Sequence, residues 1–508
     1  MIRIFRYLPG TRLPTWTWVI LLGLFGGLFS ACQTQSESSA LAGPIEQNVP
    51  ESEESLSADF EITPLPTRPA YSPGELVDYV VQTGDTLPAL ASHFNTSVEE
   101  LREANPIIPQ DATTLPPGMP MQIPIYYAPL WGTSYQILPD SHFVNGPAQV
   151  NFSSQDFLKD KPGWLRDYVE YASGENRSGA EIVDLVAGNF SVSPRLLLAL
   201  IEYQAGGISQ PAPIGGIGDY VLGNIDRKHR GLYLQLVWAA NTLNNGFYAW
   251  RKGDLESITL LDGTLERPDP WQNGATVALH YYFSLLYSPE EFSHAVGGNG
   301  LAAIYKDLFG DAWQNNEPHI PGSLTQPEFV LPFEPGETWA LTGGPHTGWG
   351  TGAPFAALDF APPTVKGGCV PSNEWVTAVA PGTVVRSEPG IVVLDLDGDD
   401  DDRTGWAIFH LHVATEDRVP IGTRLEVGGK IGHPSCEGGT STGTHVHIAR
   451  KYNGEWILAE GPLAFNLEGW VAKNGAAPYL GTLTRFSKIV TACECSDSES
   501  FITPEERE

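Results

Sequence analysis

The sequence predicts a multidomain α+β protein with a small βααβ module, a helical middle region and an antiparallel β-sheet domain. Three observations carry this. A chain of 508 residues is too long for one hydrophobic core. Apolar residues recur at helical spacing between about residues 155 and 315. Beyond them, the runs VTAVAPGTVV, IVVLDLDG, GWAIFHLHV and GTHVHIARKY are short strands separated by Gly, Pro and Asp turns. A formal charge of -31 with only 29 Lys and Arg offers no concentrated basic surface, which excludes nucleic acid as a partner.

Taken in order, the chain opens with Arg3, Arg6 and Arg12 ahead of an uncharged apolar stretch from Trp16 to Phe29, then Ser30, Ala31 and Cys32. That is the pattern of a secretion signal over 1–31, and it resembles a bacterial lipoprotein signal in which Cys32 is the lipidated first residue. An uncleaved membrane anchor is the alternative, and both place the remainder outside the cytoplasm. No later segment approaches the roughly 20 apolar residues that span a bilayer. Residues 32–73 are rich in Ser, Glu and Pro, cannot bury enough apolar surface to offset their ordering entropy, and are expected to be a disordered acidic tether.

Between 74 and 126, a strand at Tyr79 leads into Gly84-Asp85-Thr86 and an apolar helical run through Leu87, Leu90, Ala91 and Phe94. A capping box, Thr96 with Glu99 or Ser97 with Glu100, starts a second helix, and Met119 to Ile123 is the second strand. These residues resemble a LysM module, which binds N-acetylglucosamine-containing glycans. The resemblance implies that the loops Gly84, Asp85, Thr86, Leu87 and Asn105, Pro106 flank a shallow sugar groove. Residues 127–154 are read as a linker.

In the helical region, 155–315, Ser193-Pro194 opens one helix, a stripe from Leu232 to Phe247 marks another, Val277 to Leu286 a third, and Gly310 closes the last. The run SVSPRLLLALIEYQAGG faintly resembles a lysozyme-like transglycosylase. Gln204 stands where that fold carries its catalytic Glu, and an amide cannot donate a proton to a leaving glycosidic oxygen. Glu202 lies about 200° around the helix and cannot substitute. The region is therefore expected to be a degenerate lysozyme-like spacer or wall-binding domain.

Six of the twelve histidines fall between His346 and His447. In GTHVHIAR a strand turns His445 and His447 to one face. His410, in GWAIFHLHV, is expected to face the same cleft, with His412 beside it lining the cleft. His346 and, after twelve intervening residues, Asp359 complete the donor set. Two neutral imidazoles and a carboxylate suit tetrahedral zinc with a fourth position left for water.

GGPH, twelve residues, Asp, then Phe-His-Leu and Gly-Thr-His-Val-His resemble the LytM or lysostaphin-type metallopeptidases, in particular the staphylolysin branch, over roughly 325 to 475. The resemblance implies that His346, Asp359 and His447 hold one Zn2+ and that His445 and His410 handle the proton and the oxyanion. Two departures are visible: Phe355 occupies the first-ligand position of the commoner branch, and Phe409 replaces a frequent Tyr.

The domain is bounded at 316–480, with 481–508 as an acidic tail. Four cysteines remain beside Cys32 and allow three pairings; Cys369 with Cys436 is favoured because both lie in this domain. His433 is read as a loop residue. The run DLDGDDDDRTGW is read as a hairpin tip in preference to a calcium site, because its Gly falls at the wrong offset for an EF-hand loop.

The function so implied is a zinc endopeptidase cutting cross-link or stem peptides of peptidoglycan, with glycan and peptide as partners and the membrane reached through the lipid anchor. The alternative is a non-catalytic wall-binding or hydrolase-activator protein.

Overall fold

Capping side chains set the first elements of the structure, a computed structural model that describes residues 68–505 apart from 127, 130, 216, 217, 365 and 496. The expected signal 1–31, Cys32 and the tether up to residue 67 lie outside the described residues. The module comprises β1 (Glu75–Val80), α1 (Leu87–His93), α2 (Val98–Ala104) and β2 (Pro120–Ile125). Thr86 caps α1 by accepting from the Ala89 amide, and Ser97 with Glu100 forms the reciprocal capping box of α2. β1 and β2 pair antiparallel, and Tyr79, Leu90, Phe94, Leu101 and Ile123 fill the small core beneath.

The helical region follows, with α3 (Gly179–Phe190), α4 (Pro194–Ala205), α5 (Leu232–Lys252), α6 (Gly274–Ser284) and α7 (Leu301–Phe309). Ser193 caps α4, whose Pro194 occupies the first turn where its missing N–H costs nothing. α5 and α6 approach closely at Gly246, where a Cβ would lie 2.9 Å from the Ala278 Cα.

Two expectations for the connecting segments fail here. Ile137, Leu138, Phe143 and Val144, inside the expected linker, are buried in the helical core. The last residues of the expected tether are also engaged: Arg68 lies 3.6 Å over the Trp271 ring and pairs with Asp269 at 2.6 Å.

The third part is an antiparallel sheet made of β3 (Trp339–Thr347), β4 (Phe355–Ala361), β5 (Gly382–Glu388), β6 (Gly390–Asp395), β7 (Trp406–Val413), β8 (Arg424–Leu425), β9 (Val446–Tyr452), β10 (Glu455–Trp456) and β11 (Phe501–Ile502). The strand order is β8-β5-β6-β7-β9-β4-β3-β11, with β10 paired to β9. The expected acidic tail is thus corrected. β11 pairs with β3, the hairpin Gly481–Arg485 and Lys488–Thr491 precedes it, and buried Leu483, Val490 and Ile502 outweigh the local acidity.

The two faces of this sheet differ in what covers them. Ala357, Phe409, Leu411 and Ala449 pack into the same core as the helices, whereas Leu358, Val392, Ile408 and Ile448 pack against Phe329, Leu331 and Phe333 on the opposite side. Cys369 is bonded to Cys436 and Cys493 to Cys495. Among the described residues no helix is long and apolar enough to cross a membrane.

Candidate metal centre

Strand register delivers the central residues. His447 on β9 stands opposite Asp359 on β4, and Asp359 in turn pairs with Gly343 on β3, three residues before His346. Gly343 is required by contact: a Cβ there would lie 2.5 Å from Asp359 Oδ2. The one extra residue between Gly343 and His346 is accommodated by irregular pairing, which brings His346 alongside the other two.

Three atoms converge. His346 Nε2 is 3.0 Å from His447 Nδ1 and 3.3 Å from Asp359 Oδ1, and His447 Nδ1 is 3.2 Å from the same oxygen. The outward nitrogens fix the tautomers. His346 Nδ1 donates to Gly344 O at 2.8 Å and His447 Nε2 donates to Gly348 O at 3.1 Å. Each ring therefore turns a lone pair inward, and two such lone pairs cannot hydrogen-bond each other.

Asp359 Oδ1 is likewise buried without a hydrogen-bond partner among the described residues. Bonds of 2.0–2.1 Å in a tetrahedron imply ligand-to-ligand edges of about 3.3 Å, so the triangle fits a zinc-sized ion. Main-chain carbonyls holding the outer nitrogens are the usual support for metal-binding imidazoles.

The two remaining histidines have the same logic. His445 Nδ1 donates to Gly443 O at 2.7 Å, leaving Nε2 3.7 Å from Asp359 Oδ1. His412 Nδ1 donates to Glu437 O at 2.8 Å, and its ring centroid lies 4.5 Å from that of His445. Burial, reinforced by His445 and His447, lowers the His412 pKa to about 4.

His410 is not part of this cluster, which corrects the expectation. It pairs with Ile448 and Val392, so its side chain faces the opposite side of the sheet, fully buried, with its pKa lowered to about 4 by burial. His412 escapes the alternation because the register slips by one residue between Gly390 and Ile391, and His412 takes the left-handed conformation with φ of 65°.

Some contributors gave no signal in the sequence. Tyr479 stacks on His346 with ring centroids 4.1 Å apart, and its carbonyl accepts from Gly344 N at 2.7 Å. The loop after His346 is held from the helical region, where Asn241 accepts from Thr351 N and Asn245 from Ala353 N, both at 2.7 Å. These asparagines lie four apart on α5, a spacing that places them on one face, but nothing nearby in sequence links them to the loop.

His433 sits in a loop with Nδ1 bonded to Glu374 O at 2.8 Å. In the hairpin tip, Asp395, Asp397 and Asp399 bring carboxylate oxygens within 4.8 Å of one another, while Asp395 accepts from the Gly398 and Asp400 amides. Of the expected sugar-groove residues, Leu87 is in the core, the Asn105 amide bonds to Leu101 O and Gln122, Asp85 accepts from Tyr79 and Gln82, Thr86 is the helix cap, Gly84 lies against Arg251, and Pro106 is exposed.

Comparison with known proteins gives two family matches, a LysM domain over residues 79–124 and the family described as "LasA, N-terminal domain" over residues 136–322. Protease LasA of Pseudomonas aeruginosa is 26% identical over 351 residues, covering 64% of this chain and 75% of its own. The Beta-lytic metalloendopeptidase of Achromobacter lyticus is 30% identical over 152 residues, covering 28% of this chain and 36% of its own. A solved structure described as "A Novel M23 Metalloprotease Pseudoalterin from Deep-sea" covers 33% of this chain and 96% of its own at 23% identity, with a TM-score of 0.29. The two family matches and the two relatives bear out the resemblance to a LysM-containing metallopeptidase.

Proposed function

We propose that this chain is a zinc-dependent endopeptidase of the bacterial cell wall that works outside the cytoplasm and cuts cross-link or stem peptides of peptidoglycan. One observation carries the reading: inward-facing donor atoms of His346, Asp359 and His447, spaced 3.0–3.3 Å apart, form a cradle of the size and chemistry that suits one zinc ion. Zinc held there would supply Lewis acidity towards a peptide carbonyl and towards water.

The chain's own residues then divide the work. His445, with about 15% of its side chain exposed, is held through Nδ1 by Gly443 O, which leaves Nε2 facing the cradle and suited to take a proton from the attacking water. His412, on the other side of His445, replaces His410 as the second imidazole: its Nδ1 hydrogen is given to Glu437 O, so its Nε2 is suited to accept a hydrogen bond from the attacking water, while His445, once protonated, is suited to pass its proton to the leaving amine. Gly344 O and Gly348 O orient the two metal-binding rings. The LysM module supports a glycan-bearing wall as the substrate, and the N-terminal pattern supports a lipid-anchored location.

The test is direct. Purified protein should carry about one zinc per chain and release peptides from isolated peptidoglycan, and a chelator should stop the release until zinc is restored. Release that continues undiminished after complete metal removal would sink the reading.

A further inference from the structure

Of the two loops expected to bound the LysM sugar groove, the Gly84 turn is flanked by other parts of the chain, and so is the far end of the loop that starts at Asn105-Pro106, whereas Pro106 itself is exposed. Thr83 Oγ1 accepts from Ile320 N at 3.0 Å. Thr114 Oγ1 donates to Pro321 O at 2.7 Å, Thr113 Oγ1 donates to Leu324 O at 2.6 Å, and Ser323 N donates to Thr114 O at 2.8 Å. Residues 319–324 therefore lie across both the loop before α1 and the loop before β2, with Ile320 and Leu324 only 2% and 6% exposed. Gly322 approaches so closely that a Cβ would stand 2.6 Å from the Pro116 Cα.

Arg251, at the end of α5, closes the other side. Its guanidinium donates to Thr83 O and to Glu455 Oε2 at 3.0 Å, and lies 3.1 Å from Asp140 Oδ2. A Cβ on Gly84 would meet the guanidinium carbon at 2.5 Å. Next to it the His93 ring stacks on Trp250 with centroids 3.5 Å apart. One buried cation thus touches the Gly84 turn and, through Glu455, the hairpin that follows β9, the strand carrying His447.

We propose that residues 319–324 and Arg251 form an intramolecular latch over the LysM groove, so that an N-acetylglucosamine-containing glycan binds only when the latch has parted. The proposal rests on the glycan-binding reading above. Segment and sugar need the same surface, and a tethered segment competes at a high effective concentration. Apparent glycan affinity is then the intrinsic affinity multiplied by the fraction of molecules that are open.

The experiment titrates a β-1,4-linked N-acetylglucosamine pentasaccharide into the full chain by calorimetry, comparing wild type, Arg251→Gln and Gly322→Val. Removing Arg251 strands two buried carboxylates and puts folding at risk. Gly322→Val instead wedges the segment from Pro116 and keeps Arg251 beside both of its carboxylates. Both variants should bind at least tenfold more tightly than wild type. Equal affinity in wild type and Gly322→Val overturns the latch and leaves glycan binding standing. Absence of binding in all three overturns the latch together with the glycan reading.

Discussion

The carbonyl oxygen of Gly348 accepts the Nε2 hydrogen of His447 at 3.1 Å, and this bond joins the metal cradle to the helical region. Gly348 begins the loop whose Thr351 and Ala353 amides are held by Asn241 and Asn245 of α5. Supporting groups of this kind are worth roughly 10–100-fold in metal affinity. The double variant Asn241→Ala, Asn245→Ala should therefore weaken zinc binding by about tenfold, measured by competition with a chromogenic chelator. An unchanged affinity would show that the loop holds its position without α5.

Gly343 and Asp359 make a second test. A methyl group at residue 343 would stand 2.5 Å from Asp359 Oδ2, backed by strand pairing that cannot give way easily. Gly343→Ala is expected to displace the carboxylate and to lower zinc affinity about 10–100-fold, while Asp359→Ala should leave less than about a tenth of a zinc per chain by elemental analysis. Full zinc occupancy in Asp359→Ala would remove that carboxylate from the donor set.

The histidines can be told apart by function. His445→Ala and His412→Ala should each lower kcat/KM about 10²–10⁴-fold with zinc retained, the range for losing a general acid or base. His410→Leu should keep its activity within about twofold, since its side chain is buried on the sheet face away from the cradle. The reverse pattern, loss in His410→Leu and none in His412→Ala, would return the role to His410.

A pH test concerns His93, whose pKa burial lowers to about 3, although it donates to Trp250 O at 3.0 Å. A depressed histidine binds fewer protons folded than unfolded, so its contribution to stability is present above about pH 6.5 and is lost as the pH falls towards 3. His93→Phe keeps the stacking on Trp250 and removes the titration. The stability of wild type relative to this variant should therefore rise between pH 4 and pH 7, by about 3 kcal/mol, in denaturant melts. A difference that stays flat over that range would mean that His93 is solvated.

Much of this was legible because it is local. Capping by Thr86, Ser97 and Ser193 needs only neighbours in sequence, and the helical stripes and the His445-x-His447 alternation are read the same way. The linker and tail readings failed for the opposite reason: Phe143 and Ile502 are buried by partners far along the chain, which composition cannot reveal. The exchange of His410 for His412 turns on one slipped register, an event that strict alternation has no means to express.

By itself, then, the sequence determined which side chains could act: the imidazoles, the carboxylate, the glycine turns and the elements that carry them. Only the tertiary structure decided which of them meet. A triangle of atoms 3.0–3.3 Å on a side depends on pairing β3, β4 and β9 across about a hundred residues. Strand pairing at that range is selected by burial of the whole sheet rather than by any local preference.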